Sequence, residues 1–264
     1  MNLDGKHVVI TGASRGLGAA LADQFAAKGA QLTLVARTVS GLEEVAGRTG
    51  ARVHPADLSD AAQVDGLIAR IEANGSPVDV LVNNAGIDLT GAFIDMPMSD
   101  IQRMVQLNAV TVAELTRQVL PGMIARGGGH VLQISSMAGT GTFPGIAVYA
   151  ATKSFVTHMT AGIRLEMKGL PIGLTVVETG LITPTDMADS VLSYAPTKAS
   201  FKRFALLLPD TDVHKLAAKS VRAVEKGKRS VRMPARAFLF PMLTNLPRRM
   251  AELLLTGVPR RNDA

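Results

Sequence analysis

Tyr149 and Lys153 are two side chains whose types and spacing indicate proton-transfer chemistry. They are four positions apart, so on a helix they lie on the same face, with the ammonium group close to the phenol. A free tyrosine has a pKa near ~10, too high for easy proton exchange at neutral pH. A neighbouring positive charge favours the phenolate, so the spacing predicts a tyrosine that acts as a general acid or base. The pair also occurs on many solvent-exposed helices, so its meaning depends on the elements around it.

Ser136 is the candidate partner of Tyr149 at the reacting oxygen. It follows residues 131–134, an apolar run that predicts a buried strand. Its hydroxyl group would therefore lie at the carboxyl end of a strand, where open α/β sheets bind their ligands. Ser135 is the competing serine, but on an extended strand it would point to the opposite side.

The composition indicates one large α/β domain, which we expect to span residues 1–264. Hydrophobic residues make up 47% of the chain, enough for a substantial core. The chain has no cysteine, which excludes disulfides and thiolate metal sites and agrees with a cytoplasmic protein. No metal site is expected. The N-terminus carries no apolar signal-peptide core, and no apolar run reaches the ~20 residues that a membrane-spanning helix needs.

The net charge of +6 comes from the C-terminal quarter of the chain, where residues 200–264 hold 14 Lys/Arg against 5 Asp/Glu. No nucleic-acid-binding module is recognisable there. Phe238 and Phe240 are the only aromatic residues after Phe204, which argues against base stacking and against a nucleic-acid partner.

The first elements of the chain predict a nucleotide site. An apolar strand at residues 7–10 leads into the glycine-rich turn Thr11-Gly12-Ala13-Ser14-Arg15-Gly16-Leu17-Gly18, and Leu17, Leu21 and Phe25 then share one helical face. Glycines permit a tight turn and the close approach of a phosphate, and the helix N-terminus offers unpaired N–H groups to it.

The end of the second strand, residues 31–37, predicts the cofactor. An acidic residue there would bind the ribose hydroxyls of NAD, whereas an arginine accommodates the 2′-phosphate of NADP. Here Arg37 ends the strand and Arg15 lies in the glycine turn. Two guanidinium groups converging on one phosphate predict NADP(H). The alternative is a pair of solvated surface arginines.

Further strands are predicted at residues 52–56, 78–82, 172–177 and 230–233, with helices at 59–74 and 99–126. Asp57 follows the third strand, where it bonds an adenine amino group or caps the next helix in place of Ser59. Asn83 and Asn84, after the fourth strand, are expected to tie adjacent strands together, while Ala85 and Gly86 leave room for a cofactor. Asn108 is a misfit inside a helix, so it either faces solvent or marks a functional bend.

These motifs, in this order, resemble the short-chain dehydrogenase/reductase family over residues 3 to about 190. The resemblance rests on Thr11-Gly12-x-x-x-Gly16-x-Gly18, on Asn83-Asn84-Ala85-Gly86, and on Ser136 with Tyr149-x-x-x-Lys153. It implies an α/β fold with a Rossmann-like doubly wound parallel sheet of about seven strands and helices on both faces. The residue pattern beyond the resemblance predicts a helical C-terminal extension. The expected activity is NADP(H)-dependent interconversion of a carbonyl and an alcohol.

The resemblance implies four catalytic residues. Tyr149 would exchange the proton, Ser136 would bond the substrate oxygen, and Lys153 would lower the pKa of Tyr149 and hold the nicotinamide ribose. Asn108 would position a water that links Lys153 to solvent. The residues expected to bind the cofactor are Gly12, Ser14, Arg15, Gly16, Leu17, Gly18, Arg37, Asp57, Leu58, Asn84, Ala85, Gly86, Tyr149, Lys153, Gly180, Ile182, Thr183 and Thr185.

One stretch departs from the family pattern. After the sixth strand the family usually has Pro-Gly and then a threonine that meets the nicotinamide carboxamide. Here Thr179 replaces the proline before Gly180, and either Thr183 or Thr185 makes the contact, with the backbone of Ile182 as the second one.

Residues 187–208 are expected to form a substrate lid. Most of its large side chains are apolar, as are Phe143, Pro144 and Ile146 before Tyr149. Such walls suit a bulky apolar carbonyl or alcohol; the alternative is that these side chains only pack the lid onto the body. A catalytically silent nucleotide-sensing or scaffold protein on the same fold is the alternative function.

The C-terminal extension, residues 234–264, is basic and apolar. We expect a short helix after Pro234 and a second helix from Asn245, on which the apolar residues Met250, Leu253 and Leu254 share a face. This face either packs over the substrate cleft or a neighbouring subunit, which we favour, or makes a peripheral contact with an anionic membrane. We expect a homo-dimer or homo-tetramer.

Overall fold

A seven-stranded parallel sheet organises the chain in the computed structural model, which describes residues 1–206, 208–234, 237 and 240. The strands are β1 (His7–Thr11), β2 (Gln31–Ala36), β3 (Arg52–Pro55), β4 (Val80–Asn83), β5 (Gly129–Ile134), β6 (Ile172–Thr179), the short β7 (Ile182–Thr183) and β8 (Thr211–Asp212), and β9 (Ser230–Met233). The order in the large sheet is β3-β2-β1-β4-β5-β6-β9, and β7 pairs with β8 separately. The predicted doubly wound, Rossmann-like architecture is confirmed.

Helices cover both faces of the sheet. They are α1 (Gly16–Ala26), α2 (Val39–Thr49), α3 (Ala61–Val64), α4 (Leu67–Ala73), α5 (Met98–Val105), α6 (Thr111–Ala125), α7 (Ala147–Glu166), α8 (Asp186–Ser193), α9 (Ala195–Phe204) and α10 (Val213–Glu225). Two short 3₁₀ helices, Phe93–Asp95 and Met137–Thr140, and a π-helical turn, Gln106–Val110, complete the set among the described residues.

The double-sided packing explains why the central strands are continuously apolar. In β1, Val8 and Ile10 belong to the core cluster that includes Leu21 and Phe25 of α1. Val9 belongs to the cluster on the other face, with α4 and α6. Side chains alternate along a strand, so a strand covered on both faces needs an apolar residue at every position.

The direction of chain winding reverses between β1 and β4, which are neighbours in the sheet. Ligands of such sheets bind at the carboxyl ends of the strands at this point. Asn84 fixes this edge because its Nδ2 donates to the carbonyl oxygens of Thr11 (2.9 Å) and Gly12 (3.1 Å). The prediction that Asn83 also ties adjacent strands together is wrong, because its Nδ2 donates to the Thr116 hydroxyl of α6. Side chains alternate along β4, so Asn83 points toward the helix instead of the neighbouring strand.

The helix predicted at residues 59–74 is instead two short helices. Gly66, with φ 62°, adopts a left-handed conformation between α3 and α4, which a continuous helix does not allow. The helix cap is also different from the one expected, because the Asp60 side chain accepts from the Ala62 N–H. Asp57 instead accepts from the N–H (2.9 Å) and hydroxyl (2.6 Å) of Ser59.

The helix predicted at residues 99–126 contains a π-helical turn around Asn108. Asn108 is fully buried, so the solvent-facing alternative is wrong and the local distortion is present. An extra residue in a helical turn is an unfavourable feature that occurs often at functional sites.

The predicted lid at residues 187–208 corresponds mainly to α8 and α9. Of the C-terminal extension, the structure describes Pro234, Ala237 and Phe240, and the helix predicted from Asn245 lies outside the described residues. No helix within the described part of the chain has the length and apolar character to cross a membrane.

Candidate active site

A cavity of about 750 Å³ opens at the carboxyl ends of the strands. Its lining contains every residue predicted for the site except Asn108 and Thr183. The glycine turn, the ends of β2 and β3, the loop after β4 and the first turns of α7 therefore share one cavity. One ligand in this cavity would meet both the glycine turn and Tyr149.

Tyr149 lies in the first turn of α7 and lines the cavity. Burial in the cavity wall and the negative charge of Asp88 raise the pKa of Tyr149 above its ordinary value, whereas a hydrogen bond with Ser136 lowers it. The ammonium group of Lys153 lies 5.6 Å from the centroid of the tyrosine ring. The expectation that Lys153 lowers the pKa of Tyr149 is therefore wrong, because burial and the charge of Asp88 raise it.

Lys153 is buried, with 5% of its surface exposed. Its Nζ donates a hydrogen bond to the Ile134 carbonyl oxygen at 3.0 Å. Burial lowers the pKa of Lys153 to about 8, while the charge of Asp88 acts in the opposite direction. An amine with this pKa gains and loses protons near physiological pH, which suits a group in a proton-transfer site.

The two adjacent serines have different surroundings. Ser135 donates to the Lys153 carbonyl oxygen at 2.9 Å and bonds the Thr157 hydroxyl at 2.8 Å. The Ser136 hydroxyl bonds Tyr149, accepts from the Ala138 N–H at 3.1 Å, and donates a long bond, 3.4 Å, to the Thr179 carbonyl oxygen. The Ser135 hydroxyl is thus engaged by structural partners, while that of Ser136 is the one at Tyr149, as predicted.

Asn108 acts on the loop after β4. Its Oδ1 accepts from the Ile87 N–H at 2.9 Å, and its Nδ2 donates to the Ile87 carbonyl oxygen at 2.8 Å. A Cβ atom at Gly86 would lie 3.2 Å from Asn108 Oδ1 and 3.4 Å from Lys153 Nζ. Asn108 therefore fixes the loop beside Lys153, and its role in positioning a water stays a prediction.

The glycine turn is packed so closely that Gly12 and Gly18 have no room for a side chain. Gly12 and Gly16 have φ of 64° and 56°, and a Cβ atom at Gly12 would lie 2.8 Å from Ala85 Cα. At the start of α1, Arg15 makes no capping hydrogen bond with its side chain. The first N–H groups of α1 are thus left without a side-chain cap, as a phosphate-binding helix end requires.

Gly18→Ala is expected to destabilise the fold by about 1–3 kcal/mol, because the new Cβ would overlap the Gly12 carbonyl oxygen. Gly47→Ala in α2 is the matched control. Nothing lies within 4 Å of a Cβ there, so replacing a helical glycine should stabilise by about 0.5–1 kcal/mol. Denaturant unfolding of both variants measures the difference. Equal stabilities would contradict the close packing of the turn.

The two arginines predicted to bind the 2′-phosphate line the cavity but form separate ion pairs. Arg15 pairs with Asp186, the first residue of α8. Arg37 Nη1 lies 3.8 Å from Asp57 Oδ2. The Arg15 pair is largely exposed and the Arg37 pair about half exposed, and exposed ion pairs are weak. A phosphate could therefore replace either carboxylate.

The apolar end of the cavity is formed by the lid and the loop before α7. The apolar residues that line it include Met137, Phe143, Ile146, Met187, Val191, Phe201 and Leu208. Phe143 stacks on Phe201 at 5.5 Å and on Phe240 at 5.8 Å. Of the residues predicted for this wall that the structure describes, five do not line the cavity: Pro144, Leu192, Tyr194, Phe204 and the exposed Leu206.

The family model described as short chain dehydrogenase matches residues 6–195. This range covers most of the chain and contains the glycine turn, Ser136, Tyr149 and Lys153. The chain belongs to the short chain dehydrogenase family.

Individual relatives agree with this assignment. A ketoacyl reductase, HetN, from Nostoc sp. is 34% identical over 202 residues, which cover 75% of this chain and 70% of the relative. The NADP-dependent 3-hydroxy acid dehydrogenase YdfG of Escherichia coli is 31% identical over 185 residues, or 69% and 75% of the two chains. A short-chain dehydrogenase from Sphingobium yanoikuyae, solved in complex with NADPH, superposes with a TM-score of 0.77 at 27% identity, covering 89% and 90% of the chains.

This short-chain dehydrogenase departs from the family pattern after β6, where Thr179 replaces proline. Thr185 lines the cavity, whereas Thr183 does not. The Thr185 hydroxyl donates to the Ile182 carbonyl oxygen at 2.7 Å and accepts from the Ala188 N–H at the start of α8. The geometry therefore favours Thr185 over Thr183 for the carboxamide contact, which stays a prediction.

Asp88 is a residue of this dehydrogenase's cavity that the sequence analysis missed. It lies two positions after Gly86, where the recognised motif ends, and it lines the cavity with 7% of its surface exposed. Burial raises the pKa of Asp88 to about 7, while the charge of Lys153 and the Thr90 hydroxyl act to lower it. The signal available in the sequence was an acidic residue between apolar Ile87 and Leu89.

Proposed function

We propose that the chain is an NADP(H)-dependent oxidoreductase that interconverts a carbonyl and an alcohol. The observation that carries this proposal is the single cavity whose lining includes the glycine turn and the set of Tyr149, Ser136 and Lys153. A protein that only binds a nucleotide needs the glycine turn but not the set of Tyr149, Ser136 and Lys153. The NADP-dependent and NADPH-bound relatives support the choice of cofactor.

The cofactor fits the residues present. The uncapped start of α1 suits its pyrophosphate, and Arg15 and Arg37 suit a 2′-phosphate. Lys153 would hold the nicotinamide ribose and Thr185 the carboxamide. When bound, the nicotinamide supplies or accepts the hydride.

The protein's own residues manage the proton. In reduction, Tyr149 donates its proton to the carbonyl oxygen, and in oxidation it removes the proton from the alcohol. Ser136 donates a hydrogen bond to the same oxygen and stabilises the charge that develops on it. Lys153 has a pKa of about 8, so its amine can release and take up protons near neutral pH in this buried site.

We further propose a bulky apolar substrate, such as one with a fatty-acyl, sterol or retinoid body, because aromatic and aliphatic side chains form one end of the cavity. A series of ketones and aldehydes of graded chain length tests the function and the substrate class together. Since burying a methylene contributes ~0.8 kcal/mol, kcat/KM should rise about fourfold per added methylene until the cavity is filled. NADPH oxidation is measured, with NADH alongside. Equal values across the series would contradict the apolar site.

The alternative, a catalytically silent nucleotide-binding protein, predicts a different outcome of the same experiment. Such a protein would bind NADPH, as measured by its fluorescence, and would oxidise it with none of the carbonyl compounds. The presence of Ser136, Tyr149 and Lys153 in one cavity favours the enzyme.

We propose that the C-terminal extension packs on the protein beside the substrate pocket. Phe240 is fully buried and lies 5.4 Å from Phe204 and 5.8 Å from Phe143. Co-sedimentation with anionic liposomes, for the full chain and for a chain that ends after Val231, tests the membrane alternative. Salt-sensitive pelleting that depends on the extension would contradict our proposal.

We propose that the chain is a single domain and forms a homo-oligomer. Several apolar residues of the helices after β4 and of α7 are exposed, namely Met98, Val105, Val110 and Phe155. We propose that they contact a second copy of the chain. Light scattering of the purified protein tests this, and a monomer at high concentration would contradict it.

A further inference from the structure

Asp88 is a buried carboxylate that the proposed chemistry of Tyr149, Ser136 and Lys153 does not use. Neither of its oxygens makes a hydrogen bond of ordinary geometry with the residues that the structure describes. A nearby donor is the buried Thr90 hydroxyl, which lowers the pKa of Asp88 but does not reach the geometry of an ordinary hydrogen bond. Burying a carboxylate without hydrogen-bond donors is unfavourable. Its presence in the cavity wall therefore calls for a functional explanation.

Tyr149 and Lys153, both on α7, respond to the charge of Asp88. The ionised carboxylate raises the pKa of Tyr149 and opposes the effect of burial on Lys153. Asn108, which faces the same loop from the π-helical turn, is neutral. The protonation state of Asp88 is thus linked to that of Tyr149 and to that of Lys153.

The backbone holds Asp88 in place. Ile87, the residue before it, is fixed on both its N–H and its carbonyl oxygen by the Asn108 side chain. Gly86 brings the same loop within contact distance of Asn108 and Lys153. The π-helical turn therefore positions the loop that carries Asp88 against Lys153.

We propose that Asp88 is a positioning residue for proton transfer, whose carboxylate changes its protonation state together with Tyr149 and Lys153 and so sets the pH range of the reaction. This proposal rests on the proposed function. When Tyr149 gives its proton to a carbonyl oxygen, a phenolate forms beside Asp88. An ionised Asp88 opposes that step, and a protonated Asp88 does not. The proton that Asp88 takes up comes from solvent and returns to it when Tyr149 is reprotonated.

Asp88→Asn keeps the shape of the side chain and removes its charge. The variant should shift the pH profile of alcohol oxidation to lower pH by about 1 unit, because a phenolate forms more easily without a neighbouring carboxylate. At a pH on the acidic limb, this equals about a tenfold higher rate. Asp95→Asn is the matched control, since Asp95 is exposed on the nearby 3₁₀ helix. Its profile should coincide with that of the wild type.

Asp88→Glu restores a carboxylate and should move the pH profile back toward that of the wild type. If Asp88 had a purely structural role, the pH profile would not depend on the charge at this position. If an active, folded Asp88→Asn variant gives the wild-type profile, Asp88 does not set the pH range and the proposal is overturned, while the proposed function stands.

A second measurement depends on neither turnover nor the folding of a variant. Carbon-13 NMR of the wild-type protein labelled at aspartate carboxyl carbons should show one signal that titrates near neutral pH. Ordinary aspartates titrate near ~3.9. A spectrum in which all aspartates titrate below about pH 5 would overturn the proposal. A wild type that shows the neutral signal but reduces no carbonyl compound would instead contradict the proposed function.

Discussion

Tyr149→Phe should reduce the rate of carbonyl reduction by about 10²–10⁴-fold, the usual contribution of a general acid. Phenylalanine keeps the ring in the wall of the cavity and removes only the hydroxyl group that carries the proton. NADPH should bind as it does to the wild type, because its phosphates are held at the glycine turn and the start of α1. Turnover is measured by NADPH oxidation, and binding by NADPH fluorescence.

Tyr194→Phe is the matched control, since Tyr149 and Tyr194 are the only tyrosines in the chain and Tyr194 does not line the cavity. Its rate should stay within a few-fold of the wild type. Lys153→Ala should impair both turnover and NADPH binding, because Lys153 is proposed to act on the ribose as well as on the proton. A Tyr149→Phe variant that keeps more than about 5% of the wild-type rate would show that another group supplies the proton.

The parts of the fold that sequence predicts well are those that local patterns determine. The run ending in Ile10 needs apolar residues on both faces because helices cover both sides of β1. The positive φ of Gly12 and Gly16 makes glycine the natural residue there. For these reasons the seven strands of the large sheet are predicted within two residues of their observed ends.

The helices were predicted less well because their breaks depend on single residues in tertiary context. Gly66 is tolerated inside many helices, and nothing local shows that here it has a positive φ and separates α3 from α4. Asn108 was recognised as a misfit, but only its bonds to Ile87, which is 21 positions away, explain why it is buried in a π-helical turn.

Electrostatics were the part of the site that sequence could not supply. The spacing of Tyr149 and Lys153 predicted correctly that the two side chains lie near each other. The predicted direction of the shift in the Tyr149 pKa is wrong. The shift depends on burial and on Asp88, which the fold brings to Tyr149 from another part of the chain. A motif fixes which groups meet, whereas the depth of their burial is a property of the whole fold.

Arg37→Asp should weaken NADPH binding by roughly ten- to hundredfold and shrink or reverse the preference over NADH. A hydrogen bond to a charged group contributes ~1.5–3 kcal/mol, and the new carboxylate also repels the 2′-phosphate. The same carboxylate can accept hydrogen bonds from the ribose hydroxyls of NADH. In the wild type, Arg37 has only the distant Asp57 carboxylate as an ion-pair partner among the described residues, at 3.8 Å. It can therefore turn to a phosphate at little cost.

Arg117→Asp is the matched control for the change in charge, because Arg117 is exposed on α6 and pairs with Glu114 away from the cavity. Dissociation constants for NADPH and NADH, measured by fluorescence for the wild type and both variants, separate a local contact from a general effect of net charge. A loss confined to Arg37→Asp and to NADPH would place the 2′-phosphate at the end of β2. Equal losses for both cofactors would mean that Arg37 acts on the shared part of the dinucleotide. Equal Michaelis constants for NADPH and NADH in the wild type would contradict the assignment of both Arg15 and Arg37.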